Sequence, residues 1–492
     1  MPPYADMETS SEPVRVRFAP SPTGQLHLGG ARTALYNYLF ARKQGGTMIL
    51  RVEDTDQKRF VEGSMERFFE DLRWLGIELD EGPEQGGPFA PYIQSQRSAR
   101  HLEVAKELVY RGMAYYEFGG DTAGGAKTDE EYRAGRAAYR GKDRAIAAAD
   151  AAKRIAAGEG CVVRLKVPDT GSVKLQDLVR GEVEFDFVTV DDAVLLKSVG
   201  MATYHLAAMV DDHDMQISHV FRSEEWLPST PKHLLIYAAM DWQIPEFAHL
   251  PVLLAEDRKK LSKRIHGEAV WVRTYRDQGY LPQALINYLA LLGWNPGGND
   301  EFFSLDQLIE QFSIERVHKA GAIVDPVKLD AFQRHYVAQL PLDDLVESVR
   351  PFCSQAIDDK LLRRLVTVTQ TRLGKLSEFG ELVSYLLSLP SYDAAMLVFR
   401  KSTPEATKQG LSAATTALEA ADEAVWIDEQ QLAELLDGVV AQQGLSNGDV
   451  FWPVRMALTG QERSPSPAEC LWALGKVESL RRLTLATNHL AV

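Results

Sequence analysis

Cysteine is scarce: three residues in 492, Cys161, Cys353 and Cys470, far apart and without a C-x-x-C pair. That spacing signals neither a disulfide framework nor a zinc site. A reducing cytosol is the simplest setting for it. No apolar run reaches about 18 residues, so no membrane span is expected. Residues 1–12 are polar and acidic and lack the apolar core of a secretion signal, so a disordered start is the expectation. Positive charge is also in deficit. With 54 Lys and Arg against 69 Asp and Glu the formal net charge is −15. This argues against a general nucleic-acid binder but leaves room for a local basic surface. No repeat of fixed period runs through the chain. No residue stands beside a base in the pattern of an activated nucleophile.

What is present is ordinary globular composition, 45 % apolar and 25 % charged. The length suits about three or four domains. The chain is organised around residues 14–30. Val14, Val16 and Phe18 alternate with Arg15 and Arg17, the period of a strand. Pro20, Ser21, Pro22, Thr23 and Gly24 interrupt it. Ala34, Leu35, Tyr38, Leu39 and Arg42 then keep helical spacing. His27, Gly29 and Gly30 fall in the first turn of that helix. Free N–H groups and the positive dipole end suit a phosphate there, and glycine lets it approach the backbone. His27 can add a side-chain donor. A plain βα turn with a surface histidine would read the same way, and the residues alone leave both open.

Residues 47–56 read as a second strand with a polar end, completing a βαβ unit and hence a parallel sheet. Ligands of such sheets bind at the carboxyl ends of the strands. Arg17, Ser21 and Glu53 lie at or just beyond those ends. Helices are expected over 63–75 and 99–111. Residues 113–185 read as an insertion: a glycine-rich loop from Gly119, an alanine-rich helix over 144–157 and a strand over 161–168. The sheet is expected to resume at Asp192, followed by a helix from Tyr204, a strand ending at Arg222, a helix over 231–240 and a charged loop at 256–264. Beyond residue 280 nearly every apolar stripe has helical spacing. Leu285, Leu289 and Leu292 give one, Leu361, Leu362, Leu365, Val366, Leu373 and Leu376 another, and Leu432, Leu435, Leu436, Val439 and Val440 a third. This half reads as helical bundles.

Two strings carry a family resemblance. His27-Leu28-Gly29-Gly30, inside the longer run Ala19 to Leu35, resembles the "HIGH" signature of class I aminoacyl-tRNA synthetases, in its glutamyl form. Lys260, Leu261, Ser262, Lys263 and Arg264 resemble the "KMSKS" loop of the same family. Standing alone, such a basic loop is as easily a solvated surface. Together, in the expected order, the two strings imply ligation of glutamate to tRNA with ATP, Mg²⁺ travelling with the nucleotide as substrate complex. The implied fold class is α/β: a Rossmann-like parallel-sheet catalytic domain with an inserted α+β domain, followed by all-α C-terminal helical bundles. The implied divisions are a catalytic domain over 13–112 and 186–245, an inserted acceptor-binding domain over 113–185, a loop and stem-contact domain over 246–330, and anticodon-binding helical domains over 331–390 and 391–492.

By the same resemblance His27, Lys260 and Lys263 are the catalytic group. Pro20, Ser21, Pro22, Thr23, Gly24, Gly29, Gly30, Leu261, Ser262 and Arg264 join them around ATP. Arg17, Ser21, Tyr204 and Arg222 match positions around the glutamate, and Glu53 the position facing its ammonium group. From the residues alone, Tyr204 could instead be a packed aromatic, and Arg222 could pair with Glu224 or Glu225. Ala208 stands where some members carry asparagine. Some members also hold zinc near the start of the insertion; here Tyr115, Tyr116 and Glu117 occupy the region without cysteine, so no zinc is expected. Arg372 lies near a position where arginine favours cytosine over uracil at the first anticodon base. From the residues alone it sits on a solvated helix face. The expected partners are tRNA(Glu), L-glutamate and ATP, for a monomer in a bacterial-type cytoplasm, with an organelle left open.

Alternatives follow the same residues. A glutaminyl enzyme shares the catalytic fold but has a β-barrel anticodon region, which the helical second half disfavours. A shortened paralogue would lack that half. A form that also charges tRNA(Gln), a non-enzymatic tRNA-binding relative and a generic nucleotidyltransferase stay as rivals; the second is weakened because both signatures are intact, the third because the helical half and the glutamyl-type string would then have no explanation.

Overall fold

The computed structural model describes residues 13–59, 61–119, 138–353 and 356–490. The start expected to be disordered over 1–12, and most of the loop expected from Gly119, lie outside the described residues. The chain forms two compact units, Met1–Tyr275 with Leu285–Pro326 and Arg276–Ala284 with Val327–Val492.

In the first unit β1 (Arg15–Phe18), α1 (Leu28–Lys43) and β2 (Thr47–Leu50) form the expected βαβ, with β1 and β2 parallel from Arg15↔Thr47 to Phe18↔Leu50. The turn back into β2 is tight. A Cβ on Gly46 would stand 2.4 Å from the Val14 carbonyl oxygen, so only glycine fits. Helices α2 (Ser64–Trp74) and α3 (Ser98–Tyr110) fall within one residue of expectation. Next come β3 (Ala114–Phe118) and β4 (Cys161–Leu165), antiparallel. The helix between them covers only Ala148–Ala156, not 144–157. Its expected first residue, Arg144, is instead held outside by Asp169 and the Val167 carbonyl.

The chain continues through β5 (Ser172–Asp177), β6 (Gly181–Asp186), β7 (Val194–Leu196), β8 (His219–Ser223) and β9 (Glu246–Leu250). The main sheet has the order β2-β1-β8-β9-β5-β6 and is parallel except for β6 at its edge. The expected boundary between insertion and sheet is therefore misplaced. β5 and all but the last residue of β6 fall within the expected insertion, yet both strands belong to the main sheet. β7, expected to resume that sheet, pairs with β4 in the small sheet β3-β4-β7. Alternation marks a strand and its inner face but not the edge it joins. A parallel pair, β10 (Leu253–Leu254) with β11 (Ala322–Ile323), was not expected at all. After it the 256–264 segment is no free loop. It turns at Arg258, which has φ +61°, and comes back so that the Leu261 N–H reaches the Leu253 carbonyl at 2.8 Å.

The described residues of the second unit are helical and contain no strand. Leu362, Leu365 and Val366 are buried on the helix Asp359–Thr369, and Leu432, Leu436 and Val439 on Glu429–Gln443. The first stripe does not run on to Leu373 and Leu376 in one helix. That helix stops at Thr369, and 370–372 and 376–378 are single 3₁₀ turns leading into Phe379–Leu387. Buried Arg482 donates to the carbonyls of Tyr385, Leu386 and Leu458, capping two helix ends from the side. Among the described residues no helix is long and apolar enough to cross a membrane.

Candidate active site

The order of the main sheet reverses beside β1, with β2 on one flank and β8 on the other. That is the switch point at which an open parallel sheet leaves a crevice. A cavity of about 830 Å³ lies there. Pro20, Ser21, Thr23, Gly24, His27, Gly29 and Gly30 line it from the β1–α1 turn. Lys260, Leu261, Ser262 and Lys263 line it from the hairpin after β10, and Arg17, Glu53, Tyr204 and Arg222 from the strand ends and the helix Tyr204–Asp214. Pro22 is buried and Arg264 exposed, and neither is on the wall. Arg372 belongs to the second unit.

His27 is the N-cap of α1 rather than part of its first turn. Its Nδ1 accepts the Gly29 N–H at 3.0 Å. An added Cβ on Gly29 would lie 3.3 Å from that Nδ1, so glycine keeps the cap undisturbed. Burial, assisted by the neighbouring Lys260 charge, lowers the His27 pKa to about 4. The ring is then neutral, and with Nδ1 accepting, its proton sits on Nε2. His27 is half-buried, with its ring edge-on to Trp271. The two lysines have partners in the same wall. Lys260 pairs with Glu225, and Lys263 Nζ lies 5.3 Å from the Trp271 ring centroid.

The buried arginines differ sharply. Arg17 gives Nε to Asp212 at 3.1 Å and Nη1 to the Phe221 carbonyl. Arg51 holds the same Asp212 at 2.6 Å and Glu53 at 2.9 Å. Burial works to raise the Asp212 pKa, but the two guanidiniums hold it below the usual carboxylate range. Burial wins at Glu53 and pushes its carboxyl upward against Arg51 and Arg17. Arg222 has neutral partners instead: His249, His233, Thr230 and the Tyr204 hydroxyl, at 3.0 to 3.3 Å. It pairs with neither Glu224, which holds Arg180, nor Glu225. Its positive charge faces the cavity without a carboxylate beside it, the complement of an anionic ligand group.

The family model for class I tRNA synthetases (E and Q), catalytic domain, matches residues 13–331, and one for an anticodon binding domain matches residues 344–487. A glutamate–tRNA ligase from Dehalococcoides mccartyi is 42 % identical across 97 % of this chain and 98 % of its own. The chain belongs to the glutamyl branch of the class I tRNA synthetases. A glutamate–tRNA ligase from Moorella thermoacetica is 41 % identical across 96 % of this chain and 98 % of its own. A crystal structure of a glutamate–tRNA ligase from Elizabethkingia meningosepticum in complex with its amino acid superposes with a TM-score of 0.87 at 34 % identity, covering 97 % of this chain and 99 % of that one.

Several residues on or just behind the wall of this synthetase were not singled out in the sequence. Trp226 packs against Tyr204 with ring centroids 4.1 Å apart and the planes tilted by 34°. Lys197 donates to the Thr55 carbonyl at 3.0 Å. Arg51 and Asp212 fix Glu53 and Arg17. Nothing local in the sequence marks Trp226 or Lys197, but an arginine directly after the buried strand β2 was a signal that a carboxylate must meet it. Ala208 is fully buried in the helix core and off the wall. Among the described residues no group of three or more His, Cys, Asp or Glu side chains is placed to hold a metal ion. Tyr115 bonds Asp192, and Glu117 bonds Tyr139 and Arg164.

Proposed function

We infer that the chain is a glutamate–tRNA ligase whose 830 Å³ cavity activates L-glutamate with MgATP and passes it to the 3′ end of tRNA(Glu). The single observation that carries the reading is that both signature strings and a buried arginine without a carboxylate partner line one cavity at the sheet's switch point. Relatives named glutamate–tRNA ligase across nearly their whole length support it.

A glutamate carboxylate oxygen attacks the α-phosphorus of ATP. A P–O bond forms, the bond to the leaving pyrophosphate breaks, and glutamyl-adenylate results. The terminal ribose hydroxyl of tRNA then attacks the carbonyl carbon, losing its proton and expelling AMP. Two anions must meet in the first step, so positioning and cationic stabilisation dominate. The His27 Nε2–H and the N–H groups at the start of α1 receive phosphate oxygens. Lys260 and Lys263 follow the charge moving onto pyrophosphate as point charges on flexible stems. Arg222, with Tyr204, takes the side-chain carboxylate, and Glu53 faces the ammonium group. A cation there would return Glu53 to its charged form. Arg17 and Ser21 complete the amino-acid wall. A monomer in a bacterial-type cytoplasm is the simplest setting.

ATP–pyrophosphate exchange with tRNA(Glu) present tests these roles. His27→Ala and Lys263→Ala should each slow exchange by about a hundredfold, the usual cost of one preorganised donor to developing charge, without changing the melting temperature by more than a few degrees. Near-normal exchange in either variant removes that residue from the mechanism.

A further inference from the structure

Behind Arg222 runs a chain of side chains that the two chemical steps do not use. The Asp177 carboxylate, at the end of β5, accepts the backbone N–H groups of Val179 and Arg180 at 2.9 and 2.8 Å, which fixes its plane. Its other oxygen is 2.6 Å from His249 Nδ1, and His249 Nε2 faces Arg222 Nε at 3.0 Å. The direction of this chain is forced. A guanidinium only donates, so His249 Nε2 must present a lone pair, and the ring proton must sit on Nδ1 and go to Asp177. The three side chains are 1 %, 0 % and 4 % exposed, so water does not substitute for any link.

We propose that Asp177 and His249 are positioning residues for amino-acid selection, holding the Arg222 fork in the plane that meets the glutamate side-chain carboxylate and disfavours the amide of glutamine. The proposal rests on the reading that Arg222 receives that carboxylate. An imidazole suits the task better than an acid. A carboxylate directly against Arg222, as Asp212 is against Arg17 and Arg51, would compensate its charge and weaken its demand for an anion. The neutral ring fixes geometry and leaves the charge for the substrate, with the balancing Asp177 one ring further away. Selectivity then comes from an arginine oriented but not neutralised.

Two near-isosteric variants separate positioning from packing. His249→Gln places an acceptor where Nε2 was and loses the bond to Asp177. His249→Asn places a donor where Nδ1 was, keeping Asp177 satisfied, and loses the acceptor for Arg222. The full chain is assayed by charging tRNA(Glu) with glutamate and with glutamine. The Asn variant should raise the glutamate KM by about tenfold or more and lower the glutamate-over-glutamine ratio similarly, with the ATP KM and kcat within about threefold. The Gln variant should recover most of both. The opposite order, or no change of KM in either, overturns the proposal and leaves His249 as a partner for buried Asp177 alone. If the His249 variants melt early, Asp177→Asn reads the same chain. Its amide nitrogen faces Nδ1, moves the ring proton to Nε2 against Arg222, and should raise the glutamate KM; an unchanged KM overturns the proposal. Arg222→Lys distinguishes the underlying reading. If it leaves the glutamate KM unchanged, that reading itself fails; if it raises the KM while the His249 order is reversed, only the positioning fails.

Discussion

Arg17, Arg51 and Arg222 are all buried on or behind one wall, and their partners divide them. Asp212 takes Arg17 and Arg51 together, so its loss would leave two buried guanidiniums facing an amide. Breaking such a pair from one side costs on the order of 3–5 kcal/mol. Asp212→Asn should therefore lower the urea midpoint of the first unit markedly, whereas a midpoint near wild type would mean that water or rearranged backbone groups satisfy the arginines. The sequence made Arg17 and Arg222 legible through family-like positions, but it could not show that one is compensated and the other is not. That difference depends on Asp212 and His249, which lie far along the chain and converge only through the parallel sheet. The alternation in β1 marks a strand but not its burial: Arg17 is as hidden as its apolar neighbours, because a central parallel strand is covered on both faces.

Elements set the protonation of the site. The start of the helix Tyr204–Asp214 brings His205 Nδ1 within 3.2 Å of His233 Nε2, while His233 Nδ1 accepts from Arg222. Burial first, then Lys232 and Arg222, lowers His205 to about 3; burial likewise lowers His233. With His27 at about 4, these rings are neutral in the fold but titrate near 6.5 when unfolded. The unfolded chain binds more protons between those limits. The stability of burying neutral rings is thus full above about pH 6.5 and is lost as pH falls toward 4 and then 3. Thermal melts should show this acid limb between pH 7 and 4.5. His205→Asn keeps an acceptor at the Nδ1 position and removes one titrating group, so the limb should become shallower; an identical slope would contradict a neutral His205. At this scale the helices were legible, because 3.6-residue stripes and caps are local. Sheet partners are not local: nothing in the sequence of β5 and β6 separates them from the insertion, and nothing in residues 256–264 shows the pairing that makes a hairpin of the segment carrying Lys260.

The whole molecule pairs a catalytic unit with a helical one. Arg372 sits in a 3₁₀ turn between two helices of the second unit, not on a helix face, and its side chain is 40 % exposed. Its guanidinium donors match the O2 and N3 acceptors of cytosine, whereas uracil presents an N3–H donor there. One such mismatch is worth on the order of 1–3 kcal/mol. Arg372→Gln is therefore expected to reduce, by about tenfold in competitive charging, the preference for tRNA(Glu) with cytosine over tRNA(Glu) with uracil at the first anticodon base. Equal ratios for wild type and variant would remove Arg372 from recognition. A net charge of −15 gave no hint of an RNA partner, since the charge that matters to a nucleic acid is local. The assignment is tested most directly by charging purified tRNA(Glu) and tRNA(Gln) with labelled glutamate and labelled glutamine, using the full chain. ATP-dependent attachment of glutamate to tRNA(Glu) is expected, with negligible attachment of glutamine to either tRNA. Preferential charging with glutamine, or no charging of tRNA(Glu) with glutamate, would contradict it.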